Sequence, residues 1–167
     1  ALGGGVPRKG SGPIKDLLSV WEDHRDELDP VIAAVLRDRV AGLWARAEAL
    51  RLTNWGAREA SRDGNPGPEG SVGKLMSAEM NQHIYETCMD ILGAGGLLYE
   101  AGYDRKRSDG LRGPGAHPRY AFLRSRANTI EGGTSEVMRN ILGERVLGLP
   151  GDVRVDKDIP WADVPRS

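Results

Sequence analysis

The sequence predicts an all-α protein, specifically an up-and-down four-helix bundle with extra short helices. Three observations lead to this prediction. Apolar residues recur at intervals of three and four over most of the chain. No segment alternates apolar and polar residues as a half-buried strand does. Clusters of glycine and proline separate the periodic segments, as connections between helices do.

Two helices are predicted in the first third of the chain. The first runs from Ile14 to about Arg25, and its apolar positions have helical spacing. Asp29 is predicted to cap a second helix that has Pro30 at its first helical position. This helix is long, about thirty residues, because its apolar stripe is not interrupted. The stripe consists of Ile32, Leu36, Val40, Leu43, Ala47 and Leu50.

Further helices follow a cluster of helix-breaking residues at positions 63–70, which predicts a tight connection between antiparallel helices. A third long helix is predicted from Ser71 to the glycines that begin at Gly93. The segment 97–118 is less periodic and predicts a short helical piece and a surface loop. A brief helix from 118 to about 127 precedes a last helix that Thr134 is expected to cap.

Length and composition limit the classes of function. The chain has 167 residues, about one domain, and we divide it into an irregular segment 1–13, a helical bundle 14–150 and a tail 151–167. The 23 basic and 24 acidic residues give a formal charge of -1, so no basic field for nucleic acid is expected. No stretch is apolar enough for a membrane span, and the start of the chain does not resemble a secretory signal. With Cys88 as the single cysteine, we expect a reducing, cytoplasmic location.

Two glycine-rich turns are candidate ligand sites. Gly132 and Gly133 lead directly into a helix that begins with Thr134, Ser135 and Glu136, so that free backbone N–H groups, a hydroxyl and a carboxylate meet at one point. The alternative is ordinary helix capping. The second turn, 90–96, closes the third helix. Its glycines provide either a left-handed helix end or a close approach for a flat ligand.

Other polar residues give weaker signals. The three histidines, His24, His83 and His117, lack partners at metal-ligand spacing, so no metal site is predicted. Cys88 falls on an apolar stripe and is expected to be a small buried residue. The basic run 104–107, with Arg112, either meets a phosphate or forms a solvated loop.

Together these segments resemble the C-terminal domain of the acyl-CoA dehydrogenase family of flavoenzymes. The matching segments are the connection Gly64–Gly70, the helix start Ser71–Leu75, the turn Asp90–Gly96, the turn Gly133–Glu136 and the ending Glu144–Pro150. In that family a helical N-terminal domain and a middle β domain precede the bundle, and the bundle makes most of the tetramer contact. The resemblance therefore implies that two of the three domains are missing here.

The resemblance also implies binding of FAD. Thr134 and Glu136, next to Gly133, match the family's Thr and Gln-or-Glu that meet the flavin nucleotide. Gly93 and Ala94 match the paired glycines of a turn that touches the cofactor of the neighbouring subunit.

Two cofactor contacts differ from the family pattern. The Gln that begins the second turn in the family is replaced by Asp90. Because an amide donates to a phosphate and a carboxylate repels it, this contact is either lost or re-routed. Arg8 resembles the family's arginine that reaches the pyrophosphate, although the nearby Phe of that motif is absent.

The family reaction needs a carboxylate that removes the α-proton of an acyl-CoA thioester while the β-hydride passes to the flavin. Many members place this Glu directly before the Gly-Thr of the turn, where Gly132 stands in this sequence. Two alternatives remain. Either Glu131 is the base through a displacement of the loop by one residue, or the base lies upstream of Ala1. In either case a general base needs a pKa near the working pH, which burial would supply.

The resemblance therefore implies that the chain is the C-terminal FAD-binding and oligomerisation domain of an enzyme that converts acyl-CoA to trans-2-enoyl-CoA. This domain is expected to be inactive without the other domains of the enzyme. Expected partners are a second copy of the chain, as dimer or tetramer, an acyl-CoA substrate and an electron-transferring flavoprotein. The alternatives are a non-catalytic subunit of a heteromeric acyl-CoA dehydrogenase, and a flavin monooxygenase or nitroalkane oxidase on the same fold.

Overall fold

The computed structural model describes residues 13–61, 69–98, 117–151 and 159–164. Within these ranges the chain forms five α-helices and no strand, which confirms the predicted all-α class. The helices are α1 Ile14–His24, α2 Pro30–Ser61, α3 Glu69–Leu92, α4 Pro118–Ser125 and α5 Ser135–Arg145. Short 3-10 segments cover Arg25–Glu27, Gly93–Leu97, Arg126–Thr129 and Trp161–Asp163.

Both predicted N-caps are confirmed. The Asp29 carboxylate accepts hydrogen bonds from the backbone N–H of Val31 at 2.9 Å and of Ile32 at 3.3 Å, and α2 begins at the next residue, Pro30. Thr134 Oγ1 accepts from the N–H of Val137 at 3.3 Å, and α5 begins at Ser135. The third helix begins at Glu69, slightly earlier than the predicted Ser71.

Helix α3 lies at the centre of the fold, because α1, α2, α4 and α5 all pack against it. Helix α2 runs antiparallel to α3, since Arg39 pairs with Asp90 near one end and Asn54 approaches Gly73 near the other. Helix α4 is also antiparallel to α3. Its first turn reaches the carbonyl of Gly95, and its last residue, Ser125, accepts from Gln82.

The main core lies between α1, α2 and α3 and is aliphatic. Its buried members are Ile14, Leu17, Val20, Leu36, Val40, Leu43, Leu50, Met80, Ile84, Cys88 and Ile91. The Tyr85 hydroxyl donates to Asp16 at 2.9 Å, which ties α3 to α1. Cys88 is fully buried as expected, and this burial raises the pKa of its thiol to about 12, so the thiol stays protonated near neutral pH.

Several predictions fall on residues outside the described ranges. They concern Arg8, the connection 62–68, the loop that contains 104–107 and Arg112, and most of the segments 1–13 and 151–167. The proposed division of the chain at 13 and 150 therefore stays a prediction. Within the described ranges, no helix combines the length and apolarity that crossing a bilayer requires.

Candidate functional site

The turn that precedes α5, residues 130–134, has a backbone conformation that depends on glycine. Gly132 and Gly133 have φ values of +66° and +99°, in the region that L-residues with side chains rarely adopt. At Gly133 a Cβ atom would also lie 2.6 Å from the Met138 methyl group. A side chain at Gly133 would therefore strain the backbone of the turn and require the Met138 side chain to move. We call this segment the 130–134 turn.

The N-terminus of α5 offers polar groups next to this turn. The hydroxyl oxygen of Thr134 accepts the hydrogen bond that caps the helix. By contrast, the Ser135 hydroxyl is buried, with the residue only 5% exposed, and its oxygen has no hydrogen-bond partner among the residues that the structure describes. The pKa of Glu136 is lowered, first by its own backbone N–H and then by the Thr134 hydroxyl, so its carboxylate is already held at the helix start.

Glu131, the candidate base, lies in this turn and is engaged in an ion pair. Both of its carboxylate oxygens accept from Arg124 Nη2 at 2.9 Å, and Asn128 donates to one of them at 3.0 Å. About half of each side chain of the pair is exposed. The hydrogen bond from Arg124 is the main reason that the pKa of Glu131 is lowered. The shift is opposite in direction to the one that a general base near neutral pH needs.

Sequence reasoning missed the side chains of α3 that hold this region. Lys74 Nζ donates to the carbonyl oxygen of Gly133. Gln82 Nε2 donates to Thr129 Oγ1 at 2.9 Å, just before the turn. Lys74 lies inside a segment that the sequence already marked, Ser71–Leu75, but nothing local connects it with a carbonyl 59 residues away.

The second turn, 90–96, closes α3. Gly93 has a φ of +53° and starts the 3-10 segment, as its proposed role at the helix end requires. Ala94 is exposed. Two arginines that the sequence did not single out hold this turn. Arg39 pairs with the Asp90 carboxylate, and Arg119 donates to the Gly95 carbonyl at 2.8 and 3.2 Å.

The structure does not bring the two turns together. The 130–134 turn is held by Lys74 near the start of α3, whereas Gly93 follows its last residue. Nineteen residues of helix, at 1.5 Å each, separate these points by about 28 Å. The predicted cofactor residues therefore form two groups, one at each end of α3.

A cleft of about 620 Å³ runs between α2 and α3 and ends at Asp90. Its polar lining carries both signs of charge, with Arg39 and Arg46 facing Asp38, Glu86 and Asp90. Sequence periodicity could not reveal this cleft, because it depends on how far α2 and α3 are separated.

The histidines lie apart from each other in roles that need no metal. His24 Nδ1 is 3.0 Å from the Val20 carbonyl, His83 Nδ1 is 3.3 Å from Glu86, and His117 caps α4 through Arg119 N. Among the described residues, no group of three or more histidine, cysteine or acidic side chains is arranged to hold a metal ion.

Comparison with protein families matches residues 22–147 to the model described as the acyl-CoA dehydrogenase C-terminal domain. Among curated proteins, the chain is 33% identical over 127 residues to acyl-CoA dehydrogenase IpdE1 of Mycolicibacterium smegmatis. The matched segment covers 75% of this chain and 27% of that protein. It is 31% identical over 139 residues to acyl-CoA dehydrogenase FadE34 of Mycobacterium tuberculosis, covering 83% of this chain and 16% of that protein.

Solved structures show the same relationship. The steroid acyl-CoA dehydrogenase Tcur3481–Tcur3483 superposes with a TM-score of 0.61 at 25% identity, covering 83% of this chain and 34% of that chain. The ChsE4–ChsE5 complex of M. tuberculosis superposes with a TM-score of 0.63 at 28% identity, and the match covers 88% of this chain and 38% of that chain. The chain thus spans well under half the length of each of these relatives.

Proposed function

The chain belongs to the acyl-CoA dehydrogenase family and matches the C-terminal domain of that family. We propose that it is the FAD-binding and oligomerisation domain of an enzyme that oxidises acyl-CoA thioesters to trans-2-enoyl-CoA. The family generally uses FAD. On its own the chain is proposed to be inactive, since the site also needs the domains that precede the bundle in its relatives.

The observation that carries this proposal is the start of α5. A turn that strongly favours glycine leads into a helix N-terminus where the buried Ser135 hydroxyl lacks a partner within the described ranges. A buried polar group normally has a hydrogen-bond partner, and a bound group would supply one to the Ser135 hydroxyl once the start of α5 shifts to expose it. Helix N-termini favour anionic groups, which suits a flavin nucleotide.

Residues of the turn and of the start of α5 then have distinct tasks. Thr134 and Glu136 position the flavin nucleotide, and the glycines let it approach the backbone closely. When bound, FAD supplies a hydride acceptor for the β-carbon of the substrate. At the α-carbon, the base removes a proton. If Glu131 is that base, its pair with Arg124 must open when substrate binds so that its pKa rises. The alternative, a base upstream of Ala1, leaves the pair intact.

The test is to purify the natural polypeptide that contains this chain and mix it anaerobically with acyl-CoA thioesters. We expect a yellow protein whose flavin absorbance is bleached by substrate. Steroid-derived thioesters belong in the panel because a matched structure is titled a steroid acyl-CoA dehydrogenase. If Glu131 is the base, Glu131→Gln slows bleaching at least about 100-fold and leaves the flavin bound. A wild-type protein that purifies without bound flavin, or whose flavin absorbance no thioester bleaches, would overturn the proposal.

A second candidate is a non-catalytic subunit that completes the site of a catalytic partner. Two observations favour it. Glu131 is paired with Arg124, and Asp90, which stands where the family has an amide, is paired with Arg39. One matched structure is a complex of two different chains, ChsE4 and ChsE5. Under this proposal the polypeptide copurifies with a second acyl-CoA dehydrogenase chain, and each pair of chains holds one FAD. Native mass spectrometry distinguishes this result from one FAD per identical chain.

A further inference from the structure

The 130–134 turn needs an external support, because its two left-handed glycines do not fix their own conformation. Glycine populates positive and negative φ almost equally and loses the most entropy on ordering. Thr134 fixes the turn on the side of α5 through the helix cap. The pair with Arg124 holds the turn at Glu131, and a charged contact from α3 holds it at the Gly133 carbonyl.

That contact is the Lys74 ammonium, which donates to the Gly133 carbonyl oxygen. The Gly133 carbonyl belongs to the peptide bond whose N–H is that of Thr134, so the contact orients the residue that caps α5. The Lys74 stem also lies against the turn, since a Cβ on Gly132 would be 4.0 Å from Lys74 Cε. Lys74 is partly buried and projects from α3, the helix against which all others pack.

We propose that Lys74 is a positioning residue for the flavin site: its ammonium holds the carbonyl of the Gly133–Thr134 peptide and thereby the placement of Thr134 and of the turn that carries Glu131. The inference rests on the proposed function for its consequence in cofactor binding. Its structural half, that Lys74 orders the turn, stands independently.

The physical reason is that a charge-assisted hydrogen bond is both stronger and more directional than a neutral one. A neutral lysine substitute leaves the Gly133 carbonyl to water, and the turn then samples other glycine conformations. The N-terminus of α5 would still form, because its cap is local. Its first turn would be held less firmly against α3, although Arg139 of α5 still pairs with Glu79 of α3.

The experiment compares Lys74→Met, which keeps the aliphatic stem, with Lys74→Arg, which keeps a cationic donor, in the natural polypeptide that contains the chain. Lys15→Met, at an exposed lysine on α1, is the matched control. Hydrogen–deuterium exchange is measured over residues 130–138, and FAD affinity is measured by titrating the flavin-stripped protein. If Lys74→Met loses the free energy usual for a charged hydrogen bond, we expect FAD binding to weaken about tenfold.

We expect faster exchange over 130–138 in Lys74→Met, unchanged exchange in the middle of α3, and at least partial recovery of both exchange and FAD affinity in Lys74→Arg. If Lys74→Met matches the wild type and Lys15→Met in exchange and in FAD affinity, the inference is overturned. If it lowers FAD affinity but Lys74→Arg recovers nothing, a positioning role is likewise overturned. If the wild type binds no FAD at all, the proposed function fails, and the exchange data alone then decide the role of Lys74.

Discussion

At the scale of single residues, the Glu131 side chain has two possible roles, as a catalytic base and as an anion that links structural elements. Its bond to Arg124 joins α4 to the turn, and Asn128 adds a second donor. Such a carboxylate is stable as an anion, which suits a structural link. It becomes a base only where Arg124 is drawn away, and an anionic or carbonyl group of a substrate is the kind of partner that would do this.

We predict that the Glu131 carboxyl titrates below the usual range and that Arg124→Met raises its pKa, since Arg124 is the main cause of the shift. A lowered pKa in the folded state means that the pair stabilises the fold above the unfolded-state pKa and that this contribution is lost as the solution is acidified. Carbon-detected NMR of the glutamate side chains measures the titration. Arg37→Met, at an exposed arginine of α2, is the control. An identical Glu131 titration in wild type and Arg124→Met would contradict the assignment.

At the scale of elements, the predictions that succeeded were local. The apolar stripe of each of α1, α2 and α3 is visible in the sequence of that helix alone. The three stripes meet in one core. The caps are local too, because Asp29 binds N–H groups two and three residues ahead. These signals are contained in a few consecutive residues, so the sequence displays them directly.

The contacts that build the candidate site are not local. Lys74 reaches a carbonyl 59 residues later, Arg39 reaches Asp90 across 51 residues, and Arg119 reaches Gly95 across 24. No periodicity relates such pairs, because they exist only once α2, α3 and α4 have packed. The sequence therefore located both glycine turns but not the cations that hold them, nor the distance between them.

One prediction belongs to the start of α2. Asp29→Ala removes the side-chain acceptor of two N–H groups and should lower the free energy of unfolding by about 1 kcal/mol. Asp26→Ala is the matched control, because the Asp26 side chain is 91% exposed and its pairing with Arg25 is loose, at 3.7 Å. We expect the control to change stability little. Urea unfolding monitored by circular dichroism measures both, and equal effects of the two substitutions would show that the cap contributes nothing.

At the scale of the whole molecule, the bundle has a core of its own but leaves a large apolar surface uncovered. Many exposed apolar side chains fall in α4, the 130–134 turn, the start of α5 and the residues that follow α5. They are Tyr120, Leu123, Ile130, Val137, Val146, Leu147 and Leu149. Large apolar patches on a protein surface mark places where another chain or domain packs. This agrees with a chain that corresponds to about a third of the structures it matches.

We therefore predict that the purified chain self-associates, as a dimer or tetramer, and that Leu123 contributes to the contact. Leu123 is 67% exposed on α4, so Leu123→Glu should leave the thermal midpoint nearly unchanged while placing a charge in the proposed interface. Burying an unpaired carboxylate is costly, and the assembly should shift toward monomers. Light scattering over a range of concentrations measures the mass. Ala34→Glu, at an exposed position of α2, adds the same charge without removing a large apolar side chain. A monomeric wild-type chain would refute self-association, and a Leu123→Glu assembly of unchanged mass would move the contact away from α4.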